Sequence, residues 1–399
     1  MPALPGTDRC RVLLLAPSNG LGGGIERYLW TIEECLRGGG GDVHRLDMRR
    51  PGRDTFPVPR ARFVIGALAA ARGQWRPDVV VAGHPNLIPV AAAVARLTVA
   101  RRAFVVCYGD DIWAMRRRDR ALLHRDAALV PVAISSYGAG VLAATSQGPI
   151  IRPGLAPSWR AELLAQGARR SASATPGGTS GVPTLLTAFR LAAWEGKGLP
   201  VLLDALTTVR RALGAVRLVV AGHGPAPEDM LTLIRAHEDV IVHETPGDAD
   251  LARLYAAADL FVLCTRTRPR PPYGGEGYGM VLLEAQLAGC PVVGPARGGS
   301  GDAYQDGLTG VTPRDESAEA LSAVLIDLLA DGPRLARLGR QAAEWAEATT
   351  RPQDYTGRVF STLTGRELGG GAQHPRIPVQ RTAAEQPRDF AGADPRSSR

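Results

Sequence analysis

Short apolar runs alternate with amphipathic stretches along most of the chain. RVLLLA at 11–16, then 42–47, 78–82 (DVVVA), 103–107 and 129–134 read as strands, and the segments between them repeat apolar residues at helical spacing. The alternation fades at 166–182, where QGARRSASATPGGTSG is small and polar, which predicts a solvated linker. It then restarts, with strands expected at 184–189, 216–221, 240–243 and 260–264 and helices at 199–213, 226–237, 251–257, 317–330, 334–348 and 353–363. Such a pattern predicts an α/β fold of two doubly wound, Rossmann-like parallel sheets. The expected organisation is a first domain over 1–165, the linker 166–182, a second domain over 183–350, a terminal helix at 351–366 and a tail, 367–399, whose polar Gly, Pro and Arg composition predicts disorder. Two such domains leave a cleft, and ligands bind in it at the carboxyl ends of the strands.

Composition narrows the class. No apolar run approaches 18 residues, and MPALPGTDRCR offers no signal-peptide core, so a cytoplasmic, soluble chain is expected. The five cysteines are odd in number and widely spaced, as reduced core residues are. Of 47 basic residues only Lys197 is a lysine, so arginine counts carry a bias, but the distribution of charge is informative: +11 over 1–182 against −4 over 183–366. A basic first domain suits phosphate, an acidic substrate or a membrane surface. The segment 59–75, with Arg60, Arg62 and Arg72 beside Phe63, Ile65 and Leu68, fits a helix packed on the first sheet or one lying on an anionic membrane, and Arg116, Arg117 and Arg118 add positive surface. With 5% aromatic residues and no base-stacking motif, nucleic acid is not an expected partner.

The densest chemistry lies in GGEGYGMVLLEAQLAGCPVV, 274–293, where Glu276 sits in a glycine loop and Glu284 in the helix that follows. If that interval is largely helical, the two acids lie roughly 10 to 12 Å apart along the axis, about the length of a sugar joined to a diphosphate and ribose. Gly277 and Gly279 let backbone approach a ligand, and a helix start attracts an anion. Arg190 and Lys197, in the loop after the first strand of the second domain, suit a diphosphate as a flat fork and a point charge. Asp248 and Asp250 form a D-x-D that reads as helix capping rather than as a metal site, and no histidine or cysteine set has ligand spacing, so no metal is expected. His84, in AGHPN, reads as a loop histidine or a residue lining the first domain's side of the cleft. A pair of acids also serves glycoside hydrolysis, but the nearby cations point instead to a diphosphate leaving group.

Five segments in order, GLGGGIERY, FRLAAWEGKG, AGHGP, LARLYAAADLFVL and GGEGYGMVLLEAQLAGCPVVGPARGG, resemble the retaining glycosyltransferases of family 4, across roughly 10–365. The resemblance implies the GT-B fold, two Rossmann-like domains facing a central cleft, and transfer from a nucleoside diphosphate sugar, the co-substrate, to a hydroxyl acceptor with no further cofactor. On matching residues it implies that Glu284 holds the ribose, that Glu276 contacts the donor sugar, and that backbone at Gly277, Tyr278, Gly279 and Met280 faces sugar and phosphate. Arg190 and Lys197 would bind the diphosphate, with Gly22, Gly23 and Gly24 closing over it. Catalysis would rest on Arg190, Lys197 and Glu276. In VVCYGDDIW, Gly109 and Asp111 fit the family pattern, whereas Tyr108 stands where histidine is usual, which puts the identity of the sugar in question. Asp110 and Asp111 are the nearest acids for the acceptor side, with Tyr108, Asp111 and His84 as its candidate lining. Peripheral contact with an anionic membrane is a further expectation, as for relatives with lipid acceptors. The alternatives are a nucleotide-sugar epimerase of the same architecture and a non-catalytic nucleotide-binding protein.

Overall fold

The computed structural model describes residues 9–20, 23–49, 58–98, 100, 102–173 and 181–368. The first half runs β1 (Arg11–Ala16), α1 (Gly24–Gly38), β2 (Asp42–Asp47), α2 (Val58–Arg72), β3 (Val79–Ala82), α3 (Ile88–Thr98), β4 (Arg102–Cys107), α4 (Asp110–Trp113), α5 (Arg117–Arg125), β5 (Leu129–Ala133), α6 (Ser136–Leu142) and α7 (Pro157–Ser173). The second runs β6 (Thr184–Ala188), α8 (Leu199–Leu213), β7 (Arg217–Gly222), α9 (Glu228–Arg235), β8 (Val240–Glu244), α10 (Asp248–Ala257), β9 (Leu260–Val262), α11 (Met280–Leu287), β10 (Val292–Val293), β11 (Gly310–Val311), α12 (Ala318–Ala330), α13 (Gly332–Thr349) and α14 (Pro352–Thr364). All pairings between these strands are parallel, in the orders β2-β1-β3-β4-β5 and β11-β10-β9-β6-β7-β8. The order reverses between β1 and β3 in one sheet and between β6 and β9 in the other, so each has a crevice beyond its strand ends.

Three apolar cores fill the molecule. One lies under α2 and α3, one under α8 and α12, and the third is continuous from the first sheet through Tyr28, Trp159, Tyr255 and Phe360 into the second. On α2, Phe63, Ala67 and Ala71 are buried against the sheet, while Ile65, 66% exposed, faces solvent with Arg60, Arg62 and Arg72. Among the described residues no helix is long and apolar enough to cross a membrane.

The expected division of the chain needs correction. Residues 166–173 are not linker but the last turns of α7, which packs on α10 and α11 and so belongs with the second domain. One of the small residues that suggested a linker is what the packing requires: a Cβ at Gly167 would lie 2.8 Å from the Leu287 carbonyl oxygen, whereas Ala168, Ser171 and Ala172 are exposed. Arg170 then ties this helix to the carbonyls of Ala256 and Ala258. The chain therefore crosses to the second domain ahead of Pro157, and it crosses back at α14, which packs on α1. The two crossings touch, with Gly154 flat against the ring of Tyr355, where a Cβ would collide. The expected tail lies outside the described residues beyond 368. The strands β10 and β11 escaped the pattern because each is two residues long.

Candidate functional site

The second sheet's switch point gathers the predicted donor residues. Arg190 follows β6 and is exposed; its carbonyl accepts from the Ala193 N–H at 2.8 Å, and its guanidinium makes no hydrogen bond or ion pair among the described residues. Its loop is pinned by the Leu191 N–H donating to the His223 carbonyl at 3.1 Å. Gly198, at φ 78°, lets the end of that loop press on the Cys264 carbonyl, which no side chain would allow. Lys197 is thereby held beside β9: its ammonium donates to Glu276 Oε2 at 2.8 Å and lies 3.5 Å from Thr265 Oγ1. Thr265 donates to the same oxygen at 2.8 Å. Burial of Glu276 works to raise its carboxyl, but the charge and hydrogen bond of Lys197, with the donors of Thr265 and the Tyr278 N–H, hold it below the ordinary glutamate range. The residues expected to take the diphosphate and the sugar are thus paired with each other. The Tyr278 N–H is among the donors that favour that carboxylate's charge, and the Tyr278 ring is buried.

Gly279, at φ 82°, turns the chain into α11, whose first residue is Met280 and whose end carries no side-chain cap. Glu284, one turn further, is 2% exposed and is no helix-surface acid. The Trp159 indole N–H donates to its Oε1 at 3.1 Å and the Tyr255 hydroxyl to its Oε2 at 2.9 Å. Arg27, half-exposed on α1 of the opposite domain, lies 3.9 Å away. Two lone pairs of the carboxylate are occupied and two remain for a further donor. Across the cleft Gly22 lies outside the described residues, while Gly23 caps α1 at φ 114° and neither it nor Gly24 has an atom within 4 Å of where a side chain would start. Among the described residues that helix start has no side-chain cap, with buried Glu26 in its first turn, and a helix start attracts an anion.

The two domains touch at glycines. Gly277 lies so close to the Tyr108 carbonyl that a Cβ would collide, and a Cβ at Gly109 would be 3.2 Å from Gly277 Cα. Beside this contact Asp302 accepts from the Ser136 N–H at 2.7 Å and from Arg152 at 2.9 Å, a second tie between domains.

The first domain's candidates are placed differently from expectation. Asp111 does not face the cleft: its carboxylate accepts the backbone N–H groups of Tyr108, at 3.0 Å, and Gly109, at 2.6 Å, so it braces its own loop. Tyr108 turns its hydroxyl inward to the Gly83 carbonyl, 3.1 Å away, and packs edge-on to Tyr28, leaving its backbone as the part nearest Gly277. His84 Nδ1 accepts from the Asn86 N–H at 3.2 Å, which in a neutral ring leaves the proton on Nε2. Its ring stacks on Tyr108, and burial, partly opposed by Asp111, lowers its pKa. Asp248 and Asp250 lie in the first turn of α10 after a Gly247 cap, so they complement the helix end without capping it. Among the described residues no group of three or more His, Cys, Asp or Glu is placed to hold a metal.

Sequence reasoning missed Thr265, Trp159 and Tyr255. Thr265 carried a usable signal, as the polar residue just beyond a buried strand. Trp159 had none, because it reaches Glu284 from 125 residues away.

Residues 182–331 match the model of the family described as glycosyl transferases group 1. The chain is 29% identical over 341 residues to a GDP-mannose-dependent alpha-(1-6)-phosphatidylinositol monomannoside mannosyltransferase of Mycobacterium tuberculosis, covering 80% of this chain and 83% of the relative. It is 34% identical over 191 residues to a D-inositol 3-phosphate glycosyltransferase of Segniliparus rotundus, 46% and 40% of the two chains. In fold it is similar to Anabaena HepE, solved with UDP and glucose, at a TM-score of 0.65 and 17% identity over 90% of this chain and 100% of that one.

Proposed function

We propose that this chain, a glycosyltransferase of GT-B architecture with a group 1 second domain, moves a sugar from a nucleoside diphosphate sugar to a hydroxyl acceptor with retention at the anomeric carbon. The observation that carries the reading is the Lys197–Glu276 pair beside the unpartnered Arg190, at the carboxyl ends of β6 and β9. A donor would exchange that pair for better partners: the diphosphate would take Lys197 and Arg190, and a sugar hydroxyl would take Glu276. Glu284 would accept from the ribose, and the open end of α1 would meet the phosphates from the other side. In the chemical step the acceptor oxygen bonds to the anomeric carbon as the bond to the phosphate oxygen breaks, and the acceptor's proton passes to that departing phosphate. Attack and departure share a face, so no protein nucleophile is needed. Arg190 and Lys197 stabilise the charge growing on the diphosphate, and with two protein cations there the reading has transfer continue in the presence of a chelator. Any contact with anionic membrane would rest on exposed arginines such as Arg62, Arg72 and Arg116, with Ile65 the exposed apolar residue of α2.

The test is a panel of nucleotide sugars, GDP-mannose and UDP-glucose among them, scored for release of nucleoside diphosphate with and without cell extract as acceptor. Release from at least one, with a product whose anomeric proton keeps the donor's configuration by NMR, is expected. Release from none, or an inverted product, overturns the proposal. Conversion of the sugar without acceptor would favour an epimerase, and tight binding without turnover a silent binding protein.

A further inference from the structure

Because Asp111 is committed to the backbone of its own loop, its neighbour Asp110 leaves the opposite side of the turn. Asp110 is exposed, and its carboxylate makes no hydrogen bond or ion pair among the described residues. The turn is not at the rim of the cleft. Gly109, just before it, stands against Gly277, and Trp113, at its end, stands against Gly275, where a Cβ would be 3.0 Å from the indole ring. The glycine loop that carries Glu276 is therefore laid directly over α4, and Asp110 shares its surroundings with Lys197, Asp111, Glu276 and Arg268. At the other end of the same turn, half-buried Trp113 meets half-buried Tyr137 edge-on, with ring centroids 6.2 Å apart. A carboxylate unpartnered among the described residues, on the same short turn as an aromatic pair, offers one surface for hydroxyls and one for C–H groups, the two faces that a sugar or cyclitol presents.

We propose that the turn Asp110–Trp113 is the acceptor subsite: Asp110 accepts a hydrogen bond from a hydroxyl of a polyhydroxylated ring, and Trp113 with Tyr137 covers the ring's apolar face. The inference rests on the transfer reading above and adds the class of acceptor to it. It puts the two hydroxyl-bearing partners on facing carboxylates, the donor sugar on Glu276 and the acceptor on Asp110. Burial, with Asp111 and Glu276 set against Lys197 and Arg268, pushes the Asp110 carboxyl above its ordinary range, which a hydroxyl donor would relieve.

The subsite can be probed on the full chain saturated with GDP or UDP, by saturation-transfer NMR with methyl α-D-mannopyranoside and myo-inositol, and with glycerol as an acyclic control. Wild type should bind at least one ring and discriminate against glycerol. Asp110→Ala should weaken ring binding at least fivefold while the nucleotide affinity stays within twofold, and Asp110→Asn, which keeps one acceptor oxygen, should recover part of the loss. Trp113→Leu should erase the preference for rings over glycerol. In turnover, Asp110→Ala should raise the KM for a ring acceptor by a larger factor than the KM for the donor. No ring binding by wild type, ring binding within twofold in Asp110→Ala, or an equal loss of nucleotide binding would each overturn the subsite. If wild type turns over no donor at all, the transfer reading falls; if it turns over donor and Asp110→Ala matches it with ring acceptors, only the subsite falls.

Discussion

Lys197→Ala removes an ammonium lying 2.8 Å from Glu276 Oε2, and the structure gives it two separable consequences. The first concerns the free protein. Breaking a fully buried ion pair costs about 3–5 kcal/mol, but the Lys197 side chain is 28% exposed and Glu276 keeps the Thr265 hydroxyl at 2.8 Å. Screening and the remaining donor reduce the expected loss to about 1–2 kcal/mol, readable from the midpoint of urea unfolding. The loss has a pH signature. The Glu276 carboxyl lies below its ordinary value of 4.5 because Lys197 and Thr265 outweigh burial. A depressed carboxyl contributes stability that is present above the ordinary value and lost as pH falls through the folded value. With Lys197 gone the carboxyl is less depressed, so the variant, less stable at neutral pH, should lose less of its stability than wild type as pH falls below the ordinary glutamate value, moving the acid-side transition. The second consequence concerns turnover. A charge-assisted hydrogen bond to the diphosphate contributes about 1.5–3 kcal/mol, so kcat/KM for the donor should fall about 10- to 150-fold. A kcat/KM within about threefold of wild type would refute the diphosphate role. An unshifted acid-side transition would refute the pairing with Glu276.

Three further outcomes are expected. Trp159→Phe and Tyr255→Phe each remove one donor to Glu284, and titration calorimetry with GDP and UDP should find about 5- to 10-fold weaker binding, from roughly 1–1.4 kcal/mol of lost orientation; unchanged affinity in both would separate Glu284 from the nucleotide. Asp111→Asn weakens the anchor of the Tyr108 and Gly109 N–H groups and should cost about 1–3 kcal/mol in chemical denaturation; no change would mean the loop is held by other means. Gly277→Ala drives a methyl into the Tyr108 carbonyl, so small-angle scattering should find a larger radius of gyration with helix content unchanged by circular dichroism, and an equal radius would mean the two loops separate without moving the domains.

Much of the fold was legible because buried parallel strands leave a plain signal. RVLLLA and residues 42–47 coincide with β1 and β2, and 199–213 with α8. Where the reading failed, a residue's role came from its packing partner. Gly167 looks like linker in isolation and is a helix contact only because the end of α11 lies against it. In the site, charge and glycine were readable: Lys197 meets Glu276 of the glycine turn, and Arg190 stands in the loop after β6. The assignment of Asp111 over Asp110 was not readable, since both follow one strand and only the backbone geometry decides which is consumed by the loop. Nor was the closure of Glu284 by Trp159, a contact between helices far apart in sequence.

The paired crossings at Gly154 and Tyr355 limit how the enzyme can open. A body tethered by one strand can swivel and twist as well as bend, whereas two strands lying side by side act like a door hinge, whose axis runs through both. Admission of donor and release of product would then follow a single arc, along which the Gly277 and Asp302 contacts part together. Residues far from the chemistry, such as Gly154, would set the direction of that arc and so the order in which the parts of a ligand can enter.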